Sequence, residues 1–241
     1  MDDRGPVLAY QDEHLLVIDK PSGMPTAPLS AGEPGTLLAW VIARFPQVDR
    51  LPGRKPIEPG LLHRLDSGTS GLVLVALNAE AFARLRGLFE AGEVEKSYLA
   101  LCRPPEGASA GQTLTIESRF RPWGPRQSKV KVVLSDEESR RGNGLATRAS
   151  YRTDAVVERA GPKAALVRAR LRKGFRHQVR AHLSHLGFPI YGDPLYGVPV
   201  PGGAVDRLYL HAQSLAFLHP ITGTLLQVEA PLPETFFRLL D

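Results

Sequence analysis

Leu72 to Leu77 is an uninterrupted run of six apolar residues, closed off by Gly71 before it and Asn78 after it. A membrane helix needs ~20 such residues. This run is too short to cross a bilayer, and its length suits a buried strand. Leu15–Asp19 is a second short run of the same kind, ending in the turn-forming Lys20-Pro21-Ser22-Gly23. The 23 glycines and 21 prolines are spread through all 241 residues, so the chain reads as many short elements with tight connections.

Between the strands the helix signals are local. Thr36 is a good N-cap for a helix over 37–45, stopped by Pro46, and Asn78 caps a second helix that ends at Gly92. Residues 50–60, with three prolines, read as an irregular loop. Five strands follow at 95–102, 113–118, 128–134, 149–157 and 164–171, then a helix over 177–186. Strands return at 208–217 and 224–229, and a helix with Pro233 at its start closes the chain. Clustered strands argue for an α+β fold with a long, mixed, mainly antiparallel sheet, against a doubly wound parallel one. The charged, glycine-bearing stretch 136–148 reads as an exposed loop. With no linker to separate independent bodies, residues 1–241 are expected to form a single domain.

Thirty basic against 25 acidic residues give +5, and the pI near 9.5 makes a polyanion partner plausible. The lone Cys102 excludes an internal disulfide framework and a cysteine-rich zinc site. The acidic start is unlike a signal peptide. A soluble, cytoplasmic monomer is expected. Val167, Ala169 and Leu171 alternate with Arg168, Arg170 and Arg172, which gives one strand an apolar face and an arginine face. Lys173, Arg176 and Arg180 carry the charge onward. A second cluster, Arg119 to Lys131, has Phe120 and Trp123 interleaved. Guanidinium forks suit phosphates, and aromatic rings can stack on unpaired bases. For each cluster alone the favoured reading is a solvated strand face plus a loop, with Phe120 and Trp123 in the core.

His63-Arg64-Leu65-Asp66-Ser67-Gly68-Thr69-Ser70-Gly71 is the densest group of reactive side chains, set between a Pro/Gly loop and the buried run. Asp66 there is a carboxylate able to attack an electrophile or accept a proton. From the residues alone, a turn-capping Asp66 paired with Arg64 is the favoured reading.

This segment resembles the H-R-L-D-x-x-T-S-G signature of the RluA-type pseudouridine synthases, with every fixed position filled. Further segments resemble that family in the same order. They are Leu16–Gly23, with Asp19 in place of the usual Asn, then Lys96-Ser97-Tyr98, and Gly174 to His182 followed by Gly187–Asp193 and Tyr196-Gly197. Leu210-His211-Ala212 and His219-Pro220 complete the set, so the resemblance covers residues 7 to 232.

The resemblance implies a pseudouridine synthase catalytic fold with a central RNA-binding cleft. It implies isomerisation of a specific uridine in structured ribosomal or transfer RNA, with a stem-loop as target. Asp66 takes the place of the catalytic aspartate, attacking the sugar or removing a sugar proton. Tyr98 matches the tyrosine that packs on the flipped base and is a candidate to take the proton from carbon five. Arg180 matches the arginine that pairs with the aspartate, and Arg64 the residue that fills the gap left in the RNA. His63, Lys20, Arg168, Arg170, Arg172, Arg176 and His177 complete the residues expected to meet RNA, with the arginine strand along the cleft wall. One position departs from the pattern, because Phe175 follows Gly174 where the family has arginine. No cofactor and no metal are implied, and His177, His182 and His185 are not expected to be metal ligands. No separate N-terminal RNA-binding module is expected. The other readings weighed are a non-catalytic RNA-binding or RNA-folding factor on the same fold, and a hydrolase using Asp66 as nucleophile.

Overall fold

The computed structural model describes residues 5–135, 146–201 and 207–240. All but the last three residues of the loop expected over 136–148, with Gly142-Asn143-Gly144, lie outside the described residues. In chain order the strands are β1 (Val7–Gln11), β2 (Leu15–Lys20), β3 (Ser70–Ala76), β4 (Glu95–Cys102) and β5 (Thr113–Trp123). They continue as β6 (Lys129–Val133), β7 (Tyr151–Ala160), β8 (Ala165–Leu171), β9 (Leu210–Leu218) and β10 (Leu225–Glu229). The helices are α1 (Leu37–Arg44), α2 (Ala79–Ala91), α3 (Gln178–His185) and α4 (Glu234–Phe237), with short 3-10 turns at Pro46–Arg50 and Pro125–Gln127.

The chain divides into two compact units, Met1–Tyr98 with Leu210–Leu232, and Leu99–Tyr209 with Pro233–Asp241. The division runs through β4 and not through a linker, which is why composition gave no sign of it.

In the first unit β1, β2 and β3 pair antiparallel in sequence order, β9 joins β3 in parallel, and β10 pairs antiparallel with β9. Every residue of β3 is buried, because both faces of the sheet are covered. Leu15, Val17, Leu72 and Leu74 pack against Phe82 and Leu85 of α2. Leu16, Ile18, Val73 and Val75 pack on the other side against Leu37, Leu38 and Val41 of α1. Two-sided burial explains why these strands read as continuous apolar runs and not as alternation. Both helices begin as their caps predict. The Thr36 side chain accepts from Ala39 N at 3.0 Å and that of Asn78 from Ala81 N at 2.9 Å. The exposed strand β1 was not legible, since nearly all its side chains face solvent.

In the second unit β8, β7, β5 and β6 form an antiparallel run. One face carries Ile116, Phe120, Val130 and Val132, packed with Ala181 of α3. Strand pairing is thus mainly antiparallel, with β9 parallel to β3, the mixed sheet of an α+β fold. Helix α4 is a single turn, shorter than the 233–240 expected.

Candidate active site

Asp66 sits half-buried in the loop that enters β3, and the chain just after β2 laces that loop in place. Lys20, the last residue of β2, is completely buried. Its ammonium donates to the carbonyls of Pro21 at 2.9 Å, Met24 at 2.7 Å and Ser67 at 3.2 Å. Gly23 N also donates to Ser67 O at 2.8 Å, and Ser22 Oγ to Gly68 O at 2.7 Å. On the other side of Asp66, Thr26 Oγ1 donates to Leu65 O and accepts from Leu65 N. Backbone groups at 65, 67 and 68 are therefore all held by residues 20–26, and Thr69 N closes the turn onto Asp66 O at 3.0 Å. Buried polar groups satisfied this completely make a rigid mount.

Beyond the turn, Ser70 and Gly71 pair with His211 and Ala212 of β9, and Ser70 Oγ bonds His211 Nδ1 at 2.9 Å. Gly71 is at φ +111°, and a Cβ there would lie 2.2 Å from Ala212 O. Only glycine fits so close a strand approach. Behind the loop, His63 Nε2 accepts from Leu74 N at 3.0 Å and the imidazole stacks on Phe89. Burial, with the nearby charges of Lys96 and Arg54, lowers the His63 pKa to about 3, so it serves as a neutral acceptor. Lys96, itself buried and lowered to about 8 by that burial, lies over the other contact of this cluster, the Phe89 ring.

Tyr98 packs, partly buried, against the core cluster that includes Leu65 and Ala212 on the α1 side of the sheet. Burial and the negative charge of Asp66 both push its phenol well above the ordinary tyrosine value. Asp66 and Tyr98 are thus electrostatic neighbours, and Tyr98 is held as a neutral phenol.

In the second unit Arg180 is buried on α3, and Asp193 grips it. Arg180 Nε donates to Asp193 Oδ2 at 2.7 Å and Nη2 to Oδ1 at 2.6 Å. Asp193 also accepts from the amides of Leu195 and Tyr196. Burial pushes the Asp193 carboxyl up, but Arg180 and the two amides outweigh it and hold the group below its usual range. The helix is seated by His182, whose ring nitrogens bond Ser118 Oγ and Thr153 Oγ1, both at 2.8 Å. Gln178 adds bonds to Thr153 Oγ1, Arg152 O and Phe175 N.

A family described as RNA pseudouridylate synthase matches residues 14–185. The chain belongs to the RNA pseudouridine synthases. They are intramolecular isomerases, and this one falls in the RluA-type branch. It is 34% identical to the ribosomal large subunit pseudouridine synthase D of Pseudomonas aeruginosa, over 97% of this chain and 70% of that protein. The protein of that name from Xanthomonas campestris is 33% identical, over 96% of this chain and 67% of its own. The solved structure of human RNA pseudouridylate synthase domain containing 1 superposes with a TM-score of 0.69 at 26% identity, covering 94% and 83% of the two chains. The fold is the pseudouridine synthase fold.

Several residues expected to meet RNA take other places in this synthase. Lys20 and His63 face the interior, where one holds the Asp66 loop by its carbonyls and the other replaces a strand acceptor. Arg168 and Arg170 stand opposite Val156 and Asp154 on β7, while Val167 and Ala169 stand opposite Val157 and Ala155. Helix α3 packs on the Thr153 and Ala155 side, so the arginine face of β8 points away from the helix bearing Arg180. There it meets acids, with Arg168 joined to Glu158. Arg168 and Arg170 therefore lie on the face of β8 opposite to the one that α3 covers. Arg172 and Arg176 are exposed, and Arg176 Nη2 donates to the carbonyls of Gln127 and Lys129 on the β5–β6 turn. Phe175, at the arginine position of the family pattern, stacks on Phe120 with centroids 5.1 Å apart and leans on Tyr151. His177 is half-buried in the left-handed region at φ 58° and bonds Tyr196 OH at 3.1 Å. Among the described residues no group of His, Cys, Asp and Glu could hold a metal ion, and no helix is long and apolar enough to cross a membrane.

Asp193, Thr26 and Glu58 were not singled out from sequence. Asp193 lies within a quoted block and could have been found there. Nothing local marks Thr26 or Glu58.

Proposed function

We propose that this synthase isomerises a uridine in large-subunit ribosomal RNA, with Asp66 as the catalytic carboxylate and Tyr98 and Arg180 completing the catalytic set. The observation that carries the assignment of Asp66 is the laced loop. It holds one carboxylate half-exposed beside the partly buried ring of Tyr98, a place where a base can stack. The names of the two bacterial relatives favour ribosomal over transfer RNA as the substrate.

The reaction conserves atoms. The bond from ribose C1′ to uracil N1 breaks, the uracil turns, C1′ bonds to C5, the C5 proton leaves and N1 gains one. A carboxylate at Asp66 serves whether it attacks C1′ or removes a sugar proton. A target base inside a helix or stack must first be extruded, and Arg64, exposed two residues before Asp66, is the side chain proposed to enter the gap. Tyr98, kept neutral, packs on the base and donates or accepts a hydrogen bond, so proton removal from C5 by its phenolate is disfavoured.

Tritium release from uridine labelled at C5 tests the substrate. Separate transcripts of large-subunit RNA, small-subunit RNA and a transfer RNA pool are incubated with the enzyme. Release confined to the large-subunit transcript supports the proposal, and release confined to transfer RNA contradicts it.

A further inference from the structure

Glu58 is a buried acid that the reaction above does not use. Its side chain is 3% exposed, yet Oε1 accepts from Nη1 of Arg64 at 2.9 Å, and Arg64 is 45% exposed. Lys55 Nζ lies farther off, at 3.8 Å from the same oxygen. Burying a carboxylate is costly unless it is paired, so an apolar residue would suit this place better if packing were its only task.

The backbone beneath Glu58 is fixed on both sides. Glu58 N donates to Lys55 O at 2.9 Å, Gly60 N to Pro52 O at 3.0 Å, and Gly53 bridges to Pro59. A Cβ on Gly53 would lie 2.3 Å from Glu58 O, so the loop closes on itself without room for a side chain there. The carboxylate is thus presented from a rigid base. Arg64 is gripped through one Nη1 contact, and among the described residues Glu58 is its one hydrogen-bonding partner. Its Nε and Nη2 edge remains open.

We propose that Glu58 is the positioning residue for Arg64, holding that guanidinium by one nitrogen and leaving its other edge free to meet RNA beside the extruded uridine. This rests on the reading above that Arg64 enters the RNA. An arginine fixed in advance loses less side-chain freedom when it binds, and Glu58 supplies that fixation from outside the catalytic set.

The test is a double-mutant cycle on tritium release, with total RNA from cells lacking the enzyme, labelled at C5 of uridine. Glu58→Gln keeps the shape and removes the charge. The expected result is a kcat/KM about tenfold lower in the native background, with no further loss in an Arg64→Ala background, as coupled contacts show. Glu58→Asp, which withdraws the charge by one methylene, gives the same pattern and serves as the second variant should Glu58→Gln unfold in urea early. The same loss in both backgrounds means that Glu58 acts on the fold and not through Arg64, and the proposal is overturned. Full activity of Arg64→Ala alone overturns the reading of Arg64 itself, and the proposal falls with it.

Discussion

The ammonium of Lys20 and the carbonyl of Ser67 lie 3.2 Å apart in the protein interior, tying the end of β2 to the residue after Asp66. Two more carbonyls share that ammonium. Lys20→Met fills the same space and takes this donor from the carbonyls of Pro21 and Met24, while Ser67 O keeps Gly23 N. Each buried group left unpaired costs about 1–3 kcal/mol, so urea unfolding should show a loss of about 3 kcal/mol. An unchanged midpoint would mean that the lysine is not the pin of the loop.

Tyr98 is expected to act as a neutral ring. Burial and the Asp66 charge both raise its phenol above the ordinary 10.0, so no phenolate forms in the working range. Tyr98→Phe should stay within about tenfold of native turnover, and its rate profile from pH 7 to 9 should match that of the native enzyme. Tyr98→Ala, which removes the packing surface, should lose far more. A basic limb present in the native profile and absent from Tyr98→Phe would show that the phenol carries the proton after all.

Asp193→Asn separates holding from chemistry at Arg180. The substitution keeps the volume but breaks a buried charge pair, a change that typically costs about 3–5 kcal/mol. Turnover should fall while RNA affinity at fixed salt stays near native, because Arg180 is buried and its partner is not an RNA contact. A weakened affinity with native turnover would move Arg180 from the reaction to RNA binding.

Stability should fall on acidification for a traceable reason. Burial lowers His63 to about 3 and His182 to about 4, against 6.5 for exposed histidine. Folded pKa values below the unfolded ones mean that the unfolded chain binds more protons between them. The stability is fully present above pH 6.5 and is lost as pH falls toward 4 and then 3, by at most about 1.4 kcal/mol per pH unit for each group. Urea midpoints from pH 7.5 to 4.5 test this. His63→Gln should flatten the decline, and an equal slope in the variant would remove His63 from the explanation.

How far the sequence reached depended on which interactions are local. Thr36 and Asn78 act on residues three positions away, so both helix starts were legible. The apolar runs at β2 and β3 marked both as strands, and the ordered segments around Asp66, Tyr98 and Arg180 carried the family. Lys20 was misplaced because a lysine is almost never fully buried unless paired, and its carbonyl partners come partly from a loop 47 positions away. Alternation on β8 separated an arginine face from an apolar one correctly. It could not say which face α3 would cover, and that decided where Arg168 and Arg170 point. Strand β1 and the grip of Glu58 on Arg64 left no periodic or local trace at all.

The central claim is that Asp66 carries the isomerisation. Single-turnover tritium release by native enzyme and Asp66→Asn, on the same C5-labelled RNA, tests it most directly, with RNA binding measured alongside. The account predicts release by the native enzyme, none above background from Asp66→Asn, and equal binding by both. Release by Asp66→Asn at a rate near native would contradict it.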